Sequence, residues 1–251
     1  MILKSPLEKT FFIFVANHKT IKMKKFIYTL IFLLPLALVG QNQFTGIEIT
    51  VNPGQQGSVA DLIELHYGDA NFKKGSGLNL ERLWQGSGDK THRIVFYGPL
   101  GNSGRVDGDV KPFQNTAFWA SLNYYTSGSG SAYSGRVLEY KEGNEEQDHF
   151  ILYDVIIKDM ASYMKAHEQI TKDMSNGSMG ERTFAVGTYD IGRPNNATHW
   201  IALSGSSNDD LIKMHNDFQT TYLDAVTKYF MNRGEVIELK DMRVENLKSY
   251  N

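Results

Sequence analysis

The chain of 251 residues contains no cysteine. This absence excludes disulfides, thiolate metal sites and a cysteine nucleophile. The sequence also lacks Gly-x-Ser-x-Gly, which excludes the common α/β-hydrolase nucleophile elbow. The segment His167-Glu168-Gln169-Ile170-Thr171 begins like a zinc-protease helix, but Thr171 stands where a second histidine is required. We therefore predict no metal site.

Positive charge is scarce beyond residue 40. That part of the chain holds 20 Lys and Arg against 27 Asp and Glu, because residues 1–40 contain six of the 26 basic residues and one of the 28 acidic ones. A mildly acidic chain has no surface that tracks phosphates, so we expect no nucleic-acid partner. Its length allows one large domain or two small ones.

Long apolar runs are absent except near the N-terminus. A basic head at Met23-Lys24-Lys25 precedes the apolar run Phe26 to Val39, and Gly40 follows. This pattern predicts a signal peptide over residues 23–40, cleaved near Gly40. An uncleaved anchor is the lesser alternative, because the run is shorter than the about 20 residues that span a bilayer.

The predicted signal peptide has two further consequences. Residues 1–22 match no part of such a signal, so we interpret Met23 as the true start and residues 1–22 as a mis-called N-terminal extension. The mature protein is then exported, to the periplasm or the extracellular space, without a stable transmembrane anchor.

The mature chain contains an internal repeat with a period of about 100 residues. Any one of its four matches is within chance, but four in the same order are not. They are Glu81-Arg82-Leu83-Trp84 with Glu181-Arg182-Thr183-Phe184, Thr91-His92-Arg93-Ile94 with Thr198-His199-Trp200-Ile201, Arg136 to Glu142 with Glu235 to Asp241, and His66 with His167.

Each copy is predicted to run strand, helix, strand, strand, helix, strand. Apolar residues alternate in the strands and recur at helical spacing in the helices. The polar segment 143–148 divides a first repeat at 46–143 from a second at 149–250.

Two local predictions accompany this architecture. Acids at Asn208-Asp209-Asp210 indicate the start of one long helix that ends at Gly234. The Gly/Ser-rich segments 98–111 and 126–135 are predicted to be mobile loops.

The order βαββαβ, found twice, resembles a tandem duplication of the ferredoxin-like unit. It is similar to the dimeric α+β barrel superfamily, which includes antibiotic-biosynthesis-type monooxygenases and haem-binding relatives. The resemblance implies an α+β fold with antiparallel sheets and helices on one face, which could close an intrachain barrel around a cavity. It covers the mature chain at the level of fold and carries over no catalytic residue.

The duplicated polar residues are the candidate site. We predict that arginine and histidine hold the polar end of a ligand while neighbouring rings pack its apolar end. The alternatives are salt bridges for the arginines and hydrogen-bonded or exposed positions for the histidines. The candidates are Arg82, Trp84, His92, Arg182, Phe184 and His199, followed by His66 and His167.

Three functions follow as hypotheses, and the sequence leaves open whether the protein is an enzyme. The first is binding of a small apolar-acidic molecule in a cavity between the repeats. The second is a cofactor-free or haem-dependent oxygenase-like enzyme, in which a histidine accepts a proton or ligates iron. The third is a surface protein that contacts glycans through aromatic residues such as Trp119. No cofactor is predicted by the residues, and haem enters through the resemblance alone.

Overall fold

The computed structural model describes residues 41–143 and 147–251. The predicted signal peptide and upstream extension, together with the centre of the predicted linker, lie outside the described residues. The first repeat consists of β1 (Asn42–Val51), α1 (Gln56–Tyr67), β2 (Gly77–Leu83), β3 (His92–Pro99), α2 (Pro112–Tyr125) and β4 (Thr126–Lys141). The second consists of β5 (His149–Ile157), α3 (Met160–Asp173), β6 (Phe184–Ile191), β7 (His199–Gly205), α4 (Asn208–Gln219), α5 (Leu223–Asn232) and β8 (Val236–Tyr250).

The eight strands form one closed antiparallel ring in the order β1-β3-β2-β8-β5-β7-β6-β4. Each repeat contributes four neighbouring strands in the ferredoxin-like order, with its first and third strands at the centre. Two seams join the repeats. At one, β2 pairs with β8 from Leu78↔Tyr250 to Leu83↔Val244. At the other, β4 pairs with β6 from Ser134↔Ile191 to Lys141↔Phe184.

The two faces of the ring have different surroundings because successive side chains of a strand point to opposite sides. On the outer face, Leu78, Leu80 and Ile94 pack with Val59 and Phe118 of the first repeat's helices. A corresponding cluster covers the second repeat, including Phe184, Leu203 and Met214.

Side chains fill the interior of the ring. An apolar group at the β2–β8 seam comprises Leu83, Leu152, Met242 and Val244. Near the other seam, Tyr133 and Tyr189 meet edge to face at 5.2 Å. The first repeat also places a buried ion pair there, with Arg93 Nε donating to Glu81 Oε2 over 2.6 Å. The side chains that face the space between the repeats, where we predicted a ligand cavity, thus include an apolar group, an aromatic pair and an ion pair.

The predicted long helix is in fact two helices. Its start is as expected: the Ser207 hydroxyl accepts a hydrogen bond from Asp210 N, and Asp209 and Asp210 lie in the first turn. The chain leaves helical geometry at Thr220 (φ −123°, ψ −80°) and resumes as α5 at Leu223. Two successive β-branched residues, Thr220 and Thr221, stand at the break, and such residues crowd the preceding helical turn.

The segment 126–135 is a strand rather than a mobile loop. It forms the first part of β4 and pairs with β1, as in Val51↔Thr126 and Gly46↔Tyr133. Backbone groups of β1 would otherwise lack a partner on this side, and buried backbone groups are almost always paired. Tertiary pairing here overrides the local preference of a glycine-rich sequence.

Candidate functional site

The six leading candidate residues do not converge. His92 is followed by Arg93, which faces the ring interior, so alternation places His92 on the outer face with Ile94. Its Nδ1 lies 2.9 Å from the Thr91 hydroxyl. Burial, and secondarily the charge of Arg82, lower the pKa of His92 to about 4, so it is neutral at physiological pH.

Arg182 has a partner within the protein. The residue is 2% exposed. Its two terminal nitrogens donate to the Asp210 carboxylate over 2.8 and 2.6 Å, and Nη1 also donates to the Ser204 carbonyl over 2.7 Å. The predicted salt bridge to a neighbouring acid is thus present, with Asp210 rather than Glu181. Arg182, two residues before β6, is thus bonded to the first turn of α4 through Asp210.

The candidate histidines of β3 and β7 have matching surroundings in the two repeats, whereas the aromatic residues Trp84 and Phe184 differ in burial. His199 Nδ1 lies 2.7 Å from the Thr198 hydroxyl, and burial lowers the pKa of His199. Phe184 belongs to the helix-facing core of the second repeat. Trp84 is 37% exposed at the β2–β8 seam.

A cavity lies within the second repeat, between the outer face of its sheet and its three helices. Its volume is about 330 Å³. This value is at the small end of the range for small-molecule sites. Most of the lining is apolar or aromatic, including Val155, Met174, Phe184, Leu203, Phe218 and Val226.

His167 is the chemically distinctive residue of this lining. It lies on α3 and is 3% exposed. Its Nδ1 is 2.9 Å from Glu139 Oε2 on β4, while its Nε2 is buried and has no hydrogen-bond partner among the described residues. A carboxylate at Nδ1 favours the tautomer with the proton there, which leaves the lone pair of Nε2 available.

The other polar groups of the cavity are Tyr153, His215 and three charged side chains. The Tyr153 hydroxyl lies 3.3 Å from His215 Nε2. Burial raises the pKa of Tyr153, and the carboxylates of Glu238 and Asp241 raise it further, so this phenol stays protonated. Arg233 also lines the cavity, with its guanidinium carbon 4.2 Å from the Phe230 ring centroid.

The matching histidine of the first repeat has a different environment. The His66 ring stacks on Phe118 of α2, with centroids 4.7 Å apart and an interplanar angle of 22°. Phe118 is itself buried in the first repeat's core. The two histidines that the repeat relates therefore have different surroundings. His66 packs against a ring, and His167 borders a cavity.

Two solved structures resemble the chain over most of its length. One is a candidate monooxygenase from Fusobacterium nucleatum subsp. nucleatum, with TM-score 0.55 and 16% identity, covering 85% of this chain and 95% of that one. The other is a candidate monooxygenase from Lactobacillus acidophilus, with TM-score 0.54 and 12% identity, covering 83% and 98%. The fold is that of the dimeric α+β barrels. No protein-family model and no curated protein matches the sequence.

This likeness confirms the predicted ferredoxin-like α+β fold, and identities this low show the fold alone. Within the described ranges, no group of three or more His, Asp or Glu side chains could hold a metal ion. No helix of residues 41–143 or 147–251 is long and apolar enough to cross a membrane.

Proposed function

We propose that the second repeat binds a small, mainly apolar molecule with a weakly acidic O–H or C–H group, and that His167 accepts its proton. The ligand lies in the cavity between the sheet and α3, α4 and α5. The site thus differs from the one that the repeated residues predicted, because Arg182 is neutralised by Asp210 and His92 belongs to the other repeat.

The unpartnered Nε2 of His167 carries this proposal. Native structures retain few buried polar atoms without a partner, and each that remains calls for an explanation such as a bound water or a catalytic role. Here Glu139 fixes the ring from the Nδ1 side, and Tyr163 stacks on it with centroids 5.8 Å apart. An imidazole held in this way can accept a proton from a bound molecule at Nε2.

Oxygenase-like chemistry is the enzymatic form of this proposal. The two similar structures with the higher TM-scores are described as candidate monooxygenases. An oxygenase without a metal must remove a proton from its substrate, and His167 supplies a base for that step. The glycan-contacting alternative finds less support, because Trp119 packs edge to face on Phe118 at 5.0 Å and is partly buried.

The proposal is tested with 4-nitrophenol, whose ionised form absorbs visible light. Proton transfer to His167 should lower the apparent pKa of the bound phenol by about one unit or more. His167→Gln should bind the phenol with its ordinary pKa, and Glu139→Gln should give a smaller shift. His66→Gln, at the matching helix position of the first repeat, should behave as wild type.

A wild-type protein that binds 4-nitrophenol without changing its spectrum would show that His167 is not a proton acceptor. A shift that persists in His167→Gln would assign that role to another residue of the cavity. Thermal unfolding of each variant separates these outcomes from a loss of fold.

Haem binding is the second candidate function, and it too rests on the unpartnered Nε2 of His167. Metal-ligating histidines usually donate their other ring N–H to a carboxylate, as Glu139 allows here. His167 Nε2 would bind the iron, Arg233 would pair with a propionate, and the iron would supply redox chemistry. Haemin titration should then give a Soret shift in wild type and in His66→Gln but not in His167→Gln.

A further inference from the structure

Trp84 stands between two arginines that have no acidic partner. The guanidinium carbons of Arg82 and Arg243 lie 4.0 and 4.6 Å from the centroid of the Trp84 ring. Over the described residues neither arginine forms an ion pair, and Nε of Arg243 is buried without a hydrogen-bond partner. The Trp84 indole N–H donates a hydrogen bond to Glu245 Oε2 over 2.7 Å, so this donor is already occupied.

The backbone holds these side chains in place. Trp84 N donates to the Arg243 carbonyl over 2.9 Å, and Arg243 N donates to the Gln85 carbonyl over 3.0 Å. These bonds extend the β2–β8 seam by one step. Two like charges beside one ring repel each other. An oxyanion at Arg243 would satisfy the free donor of this side chain and offset its charge.

The other seam provides a contrast. Arg136 on β4 donates through Nε and Nη2 to both oxygens of Asp190 on β6, over 2.7 and 3.1 Å. An arginine at that junction of the two repeats is thus neutralised within the protein. At the β2–β8 seam, neither Arg82 nor Arg243 has an equivalent bond to a carboxylate of residues 41–143 or 147–251.

Arg243 also lines a second cavity, of about 270 Å³. His215 and Asp241 line both this cavity and the one that His167 borders. The two spaces are therefore neighbours, with the Tyr153–His215 pair beside their common wall. Asp241 is exposed, so solvent screens its charge from an anion bound at Arg243.

We infer that the second cavity is the oxyanion subsite of an elongated ligand, whose apolar body occupies the first cavity and whose carboxylate binds Arg243. Arg82, on the same Trp84 ring, adds a second positive charge close to this subsite. This inference rests on the proposed function for the position of the apolar body. It specifies the ligand class as an amphiphilic acid long enough to pass His215.

Calorimetric titration with phenylalkanoates of increasing chain length, each compared with the phenylalkanol of matching length, tests the subsite. Wild type should bind the longer acids about tenfold or more tightly than the alcohols, as expected for a hydrogen bond to a charged group. Arg243→Gln should lower this ratio to about one while it retains alcohol binding. Arg136→Gln, at the neutralised seam, should keep the wild-type ratio.

Charge reversal provides a readout that a merely structural arginine would not give. The Arg243→Glu variant should not bind the acids and should bind the alcohols as wild type does. It should bind phenylalkylamines more tightly than the alcohols. Alcohol binding with a ratio of one in wild type would overturn the subsite and leave the His167 cavity intact. An acid preference that survives in Arg243→Gln would also overturn it, and failure of every compound to bind would overturn both proposals.

Discussion

Asp154 lies in the ring interior and is 1% exposed. Its Oδ1 accepts a hydrogen bond from the Tyr189 hydroxyl over 2.7 Å, and its Oδ2 has no partner among the described residues. Burial raises the pKa of this carboxyl; Glu48 raises it too, whereas Tyr189, Lys240 and Arg93 act in the opposite direction. Protonation of Asp154 is therefore easier in the folded protein than in the unfolded chain.

Asp154→Asn should reveal this protonation as a change in the pH dependence of stability. With a raised pKa the folded state binds more protons than the unfolded state, so stability falls as pH rises from the ordinary aspartate value of about 4 to the raised one. Each unit of elevation corresponds to about 1.4 kcal/mol of unfolding free energy. Urea unfolding across this window should show the fall in wild type and not in Asp154→Asn.

Asp190→Asn serves as the control, because the pKa of Asp190 is shifted in the opposite direction to that of Asp154. The hydrogen bond from Arg136 lowers the pKa of Asp190. The contribution of Asp190 to the free energy of unfolding is therefore present above the pKa of the unfolded chain and is lost as the pH falls. Equal pH profiles for wild type and Asp154→Asn would mean that Asp154 is ionised in the folded protein.

At the scale of single residues, the sequence indicated candidates but not their contacts. The repeat identified His167, and helical spacing placed it on the apolar face of α3. It also identified Arg182, whose partner Asp210 is 28 positions away and becomes a neighbour only when α4 returns to the sheet. The cavity depends on volumes left between helices, which no residue pattern specifies.

Among the elements, β4 contains the clearest test of how the repeats join. A Cβ atom on Gly135 would lie 1.8 Å from the carbonyl oxygen of Thr188 on β6. Gly135→Ala should thus destabilise the protein by about 1–3 kcal/mol or more, because the seam has no room for a methyl group.

Gly57→Ala in α1 is the matched control. A Cβ there meets nothing within 4 Å, so this change should be neutral or stabilise by up to about 1 kcal/mol. Urea unfolding measures both. A Gly135→Ala variant as stable as wild type would mean that β4 and β6 separate readily at this point.

The starts of α3 and α4 were predictable because they carry capping residues. Asp159, for example, accepts hydrogen bonds from Ala161 N and Ser162 N at the start of α3. The failures have different causes. The strand character of 126–135 comes from pairing with β1, which local composition does not specify. The break at Thr220 has a local sign, the β-branched pair Thr220-Thr221, which the helical spacing of the apolar residues outweighed in our prediction.

For the whole molecule, export remains a proposal, since it rests on residues 23–40. Mass spectrometry of the protein from the exported fraction should show a chain that begins near Gln41. Leu33→Arg, which interrupts the apolar run, should leave the protein inside the cell at full length. An exported chain that retains residues 23–40 would favour the anchor.

The closed ring also bears on how the two halves can evolve. In an assembly of identical subunits every substitution appears in both partners, so both must keep the same cavity. Covalent fusion removes that restriction and holds the halves together at a high effective concentration. Phe118 can then occupy the first half beside His66 while the second half keeps its space open beside His167. The fused chain therefore allows the two halves to differ at these positions.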